Sequence, residues 1–102
     1  MEIMLRKVAA LNQHFNQVDQ PENLRFFQKI TKLNEEIGEL CEAALCEQDP
    51  NQRKKNKHID FDAELADVII CALMLSTGRE KNIETEIHKK LDRILVKFNL
   101  TL

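Results

Sequence analysis

The chain has 102 residues, 43% of them apolar and 31% charged, and carries a formal net charge of -2. That length suits a single domain, 1–102, with a modest core, and the near-neutral, interspersed charge excludes a global attraction to nucleic acid. Two Gly and two Pro supply too little turn material for an all-β fold, whereas the abundant Leu, Ile, Ala, Glu and Lys favour helix.

The N-terminal stretch lacks the basic, apolar and small-residue layout of a secretion signal. The longest apolar run, Val68 to Leu75, is too short to span a bilayer, so a cytoplasmic protein without a membrane partner is expected. Cys41, Cys46 and Cys71 form no CxxC pair and lack zinc-site spacing, and they read as reduced core residues.

Apolar residues recur at steps of three and four, the helical period. Met4, Val8, Leu11, Phe15 and Val18 make a stripe on a first helix that ends before Pro21, whose fixed φ suits the start of the next. The second helix is predicted from Glu22 to Gln48, with Phe26, Ile30, Leu33, Ile37, Leu40 and Ala44 on one face and Asp49-Pro50 as its stop. A polar, basic loop follows, from Asn51 to Ile59. Asp60 or Asp62 then caps a third helix reaching about Thr77, where Gly78 supplies the C-terminal stop. Asn82 caps a fourth, with a stripe of Ile83, Ile87, Leu91, Ile94 and Phe98. Its charges follow the helix dipole, Glu84 and Glu86 near the start and Lys89, Lys90 and Arg93 toward the end.

These elements predict an all-α, four-helix bundle-like protomer, the third and fourth helices being antiparallel neighbours across the short connection 78–82. The third helix is apolar on every side beyond its first turns and must be covered on every side. Three short partners barely suffice, so a homo-oligomer, a dimer or tetramer, is expected.

The acidic residues carry the chemistry. Glu35, Glu36 and Glu39 lie on the second helix, Glu64 and Asp67 on the third. A three-residue step leaves two side chains about 60° apart and one turn removed, so Glu36 with Glu39, and Glu64 with Asp67, each make a two-carboxylate claw. Glu64 and Asp67 sit on the helix predicted to be buried, where an unpaired carboxylate costs several kcal/mol. A cation between the claws removes that penalty. All-oxygen ligands suit Mg²⁺, Mn²⁺ or Ca²⁺, and Mg²⁺ is favoured because it works with a few carboxylates plus substrate phosphates. The Glu-x-x-His pattern of a di-iron bundle is absent.

Residues 32–43 (KLNEEIGELCEA) and 63–75 (AELADVIICALML) resemble the two signature segments of the MazG-like nucleoside triphosphate pyrophosphohydrolases, an all-α family whose pattern is EExxE, a spacer, then ExxD. Here it reads Glu35-Glu36-x-x-Glu39, 24 intervening residues, then Glu64-x-x-Asp67. The resemblance implies Glu36, Glu39, Glu64 and Asp67 as ligands of Mg²⁺, with Mn²⁺ as a substitute. Glu35 and Glu39 become candidate catalytic residues, although Glu35 equally fits positioning water, binding a further ion or facing solvent. The implied reaction is hydrolysis of a (deoxy)nucleoside triphosphate to monophosphate and pyrophosphate, an activity suited to clearing the nucleotide pool.

The resemblance also directs attention to basic residues on the fourth helix. Lys90, Arg93 and Lys97 lie within about 60° of one another there and are candidate substrate-binding residues. The common family form has an Asn and an Arg-Tyr pair in this region, where this chain has Ile94 and Lys97-Phe98. A second basic cluster, Arg53, Lys54, Lys55, Lys57 and His58, either closes over phosphates or is a solvated loop. No aromatic is interleaved with it, which speaks against single-stranded nucleic acid as a partner. With no Trp or Tyr, any stacking on a base falls to Phe, and Phe15, Phe26 and Phe27 fit either a pocket or the core. The competing reading is a non-enzymatic helical interaction or regulatory module that uses the same acids to hold a stabilising cation.

Overall fold

The computed structural model describes residues 1–17, 19–51 and 59–102. The described chain is all-α: α1 (Glu2–Phe15), α2 (Glu22–Gln48), α3 (Phe61–Ser76) and α4 (Ile83–Lys97), with no strand among the described residues. None of these helices is long and apolar enough to cross a membrane. Val18 and the basic cluster Arg53 to His58 lie outside the described residues.

Local chemistry accounts for the helix ends. Asp60 caps α3, its Oδ1 accepting from the Asp62 N–H at 3.0 Å, so the nearer of the two candidate caps is the one used. Asn82 Oδ1 accepts from the Thr85 N–H at 3.1 Å and starts α4. Gly78 takes φ +80 just beyond the Thr77 cap, the left-handed conformation that glycine adopts without strain. At the far end Asn99 takes φ 55, and the Leu100 and Asn99 N–H groups donate to the carbonyls of Leu95 and Val96, a Schellman closure of α4.

α2 packs along α3, and α1 lies across α3. Glu36 meets Glu64 and Asp67 while Arg25 shares a cavity wall with Met74, so α2 and α3 run antiparallel. Among the described residues the core is small: Val8, Ala43, Cys46 and Leu73 are its buried apolar residues, joined by Asn12 and Glu36. Cys41, expected in the core, is exposed on α2.

Two packing expectations are corrected. First, α4 makes no more than a glancing contact with the other described helices and buries none of its residues, so α3 and α4 are not packed neighbours within the protomer. The connection does not fold back: Thr77 and Asn82 are both extended, and they flank a left-handed Gly78. Second, on α2 the apolar stripe is not what turns inward. Phe26, Ile30 and Ile37 are exposed, and Leu33, Leu40 and Ala44 are half-buried. The fully buried residues of α2 are Glu36, Ala43 and Cys46. The row through Glu36 and Ala43, continued by the half-buried Arg25 and Lys29, lies about one residue, or 100°, around the helix from that stripe.

The outcome is an open protomer. Its radius of gyration is 17.0 Å, against about 13 Å for a compact chain of this length. It measures 48 × 46 × 23 Å, a plate rather than a ball.

Candidate metal centre

Glu36 points from α2 toward α3 because it lies on the inward row of that helix. One turn of α3 presents Glu64 and Asp67 to it, three residues apart, as helical geometry requires. The three carboxylates each place an oxygen within 4.8 Å of the others. Glu36 is only 7% exposed, Glu64 is half-buried and Asp67 is exposed.

Two features show that this cluster is incomplete as a set of protein contacts. Glu36 Oε1 accepts from Lys32 Nζ at 3.1 Å, one turn earlier on α2. Glu36 Oε2 and Glu64 Oε2 are buried and have no hydrogen-bond partner among the described residues. Buried, unsatisfied carboxylate oxygens are costly, and three carboxyl groups in one small volume repel one another. A hard divalent cation is the group that a set of convergent oxygens would hold, so the residues present fit Mg²⁺ or Mn²⁺.

Glu39 stands outside the trio but beside it. Chiefly the charge of Glu36, and then partial desolvation, hold its carboxyl above the ordinary carboxylate range, with a smaller contribution from Glu64. Glu35 is different. It is exposed on the outer side of α2 and pairs with Lys32 at 3.8 Å. Of its candidate roles, facing solvent is the one its surroundings match.

A cavity of about 510 Å³ opens next to the acids, between α1, α2 and α3. Glu36 and Asp67 form part of its wall; Leu11, Phe15, Ile70 and Met74 supply apolar surface, and Arg25, Lys29 and Lys32 supply cations. Cys71 also lines it. Burial first, and the Glu36 charge second, push its thiol pKa up. Phe15 is thus on the cavity wall, while Phe26 and Phe27 pack edge to face at 6.2 Å away from it.

Lys90, Arg93 and Lys97 are not brought to this site within one chain. They lie exposed on α4, which does not pack on α2 or α3, and Lys97 Nζ sits 5.7 Å from the Phe98 ring centroid. The cations that do reach the cavity are Arg25, Lys29 and Lys32, none of them among the candidate substrate-binding residues named from the sequence. Their signal was available: with Glu36 they recur at steps of four, three and four, a helical stripe one position before Phe26, Ile30, Leu33 and Ile37.

No family model, curated protein or solved structure matches the chain.

Proposed function

We propose that this protein is a metal-dependent nucleoside triphosphate pyrophosphohydrolase of the MazG-like kind. The observation that carries the reading is the convergence of Glu36, Glu64 and Asp67 from two helices, with two buried oxygens lacking hydrogen-bond partners among the described residues, beside a cavity whose wall includes Glu36 and Asp67. Glu36, Glu64 and Asp67, with Glu39 beside them, are the ligands of Mg²⁺ in this reading, and Mn²⁺ is a substitute. Held by these residues, the ion would supply neutralisation of phosphate oxygens and activation of water. Water adds across the anhydride between the α and β phosphates, giving nucleoside monophosphate and pyrophosphate. Glu39, next to the trio, suits a catalytic role better than Glu35, whose carboxylate lies among solvent and Lys32.

The proposal includes a homo-oligomer. The open protomer and the exposed stripes of α2 and α4 support it, since Ile30, Ile37, Leu91 and Phe98 are 41%, 43%, 49% and 62% exposed. Rows of exposed large apolar side chains of this kind are a common mark of an interface.

The test is incubation with a panel of standard and modified nucleoside triphosphates in Mg²⁺, with pyrophosphate and orthophosphate measured separately. Pyrophosphate release that stops on chelation is expected. Orthophosphate as the product, or no turnover of any nucleotide, overturns the enzyme assignment; a Mg²⁺-dependent melting temperature without turnover would favour the interaction-module reading.

A further inference from the structure

The most telling feature outside the acidic trio is the cationic wall of the same cavity. Arg25, Lys29 and Lys32 are the cationic side chains among its described lining residues, and all three come from one helix. With Glu36 they form a single stripe on α2, and Lys29 stands about 10 Å from Glu36 along the helix axis at 1.5 Å per residue. Positive charge therefore leads directly up to the carboxylates, inside one concave surface.

We infer that the Arg25–Lys29–Lys32 row is the polyphosphate subsite of this cavity, binding pyrophosphate or the phosphate chain of a nucleotide beside the acidic trio. The inference rests on the proposed hydrolase reading for its substrate class, and it moves the phosphate contacts from α4 to α2. Lys29 supports it independently. This side chain is half-buried, and it forms no ion pair among the described residues. Burial, and then the neighbouring Arg25 charge, lower its affinity for a proton, and an anion placed between the two would relieve both effects. Lys32 is held by Glu36 at 3.1 Å, a pairing that Glu36 needs only while no divalent cation neutralises it. Two lysines and an arginine on a rigid helix give charge-assisted contacts to phosphate oxygens without ordering a loop.

The experiment is calorimetric binding of inorganic pyrophosphate in Mg²⁺ to the wild-type protein, Lys29→Ala, Lys29→Arg and the double variant Lys29→Ala/Lys32→Ala. Circular dichroism confirms that each variant is folded. Lys29→Ala is expected to weaken pyrophosphate about tenfold, the double variant more, and Lys29→Arg to recover most of the affinity. Wild-type affinity in Lys29→Ala, or no pyrophosphate binding by the wild type, overturns the subsite. The hydrolase reading is judged separately by pyrophosphate release from nucleotides. Turnover with Lys29-independent pyrophosphate binding removes the subsite alone, and Lys29-dependent binding without turnover removes the hydrolase alone.

Discussion

α2 and α4 are both built from amphipathic sequence yet end in opposite conditions. α2 and α3 pack on each other and draw polar groups inward, so that a carboxylate, Glu36, is among the few buried residues of the protomer. α4 has the more regular apolar stripe, and it buries nothing. Burying a Leu or Ile side chain stabilises a fold by about 1.5–3 kcal/mol, so a helix such as α4 has much to gain from a partner that its own chain does not provide. The α2–α3 pair gives up apolar contact to bring carboxylates together, a local departure from apolar packing of the kind the proposed function would account for. The protomer thus divides into a packed α2–α3 region with an inward carboxylate and an α4 whose apolar stripe stays exposed.

That division can be broken at its strongest point first. Asp67→Asn and Glu36→Gln are each expected to lower pyrophosphate release by a hundredfold or more while the helical circular dichroism is retained, since one lost electrostatic contact in a transition state commonly costs about 3 kcal/mol. Full turnover by Asp67→Asn would remove the carboxylate site from the argument.

A comparable effect on association is expected from α4. Leu91→Asp places a charge in the exposed stripe, and it should weaken self-association about tenfold to a hundredfold, read by sedimentation velocity over a dilution series. A wild-type protein that sediments as a monomer at micromolar concentration would show that the stripe serves no second copy.

The acid-rich region also has a pH signature. The folded-state pKa of Glu39 is raised, so its contribution to the metal-free protein favours low pH: present below the unfolded carboxyl value, it is lost as pH rises through the raised folded value. In chelator, the melting temperature of Glu39→Gln should therefore fall less than that of wild type as pH is taken from about 4 to 7. Added Mg²⁺ should raise the wild-type melting temperature most at the upper end of that range, because its ligands must be ionised to bind. Parallel pH profiles for the two proteins would place Glu39 outside the cluster's field.

The smallest effect is expected from the basic face of α4. Arg93→Ala should change KM for a nucleotide less than Lys29→Ala does, by no more than about threefold, because α4 does not approach the acidic trio within the chain. A larger rise in KM would mean that an oligomer carries Arg93 of one copy to the site of another.

Much of this architecture was legible in the amino-acid order. Pro21, Asp60, Gly78 and Asn82 mark helix boundaries by local means, through a fixed φ, a capping oxygen or a permitted positive φ, and α2 begins at Glu22 and ends at Gln48 as its periodicity predicts. The three-residue spacing of Glu64 and Asp67 likewise guaranteed that the two carboxylates share one side of one helix. Such features depend on backbone hydrogen bonds and neighbours within a turn, and so they survive in a one-dimensional reading. Tertiary packing decided the rest. It turned α2 so that Glu36 rather than Ile37 faces α3, put Lys29 and Lys32 on the cavity wall, and left Lys90 and Arg93 away from it. An amphipathic stripe states that a surface has to be covered. Which surface covers it, and at what rotation, depends on side-chain ridges meeting across distant parts of the chain, or across a second copy of it.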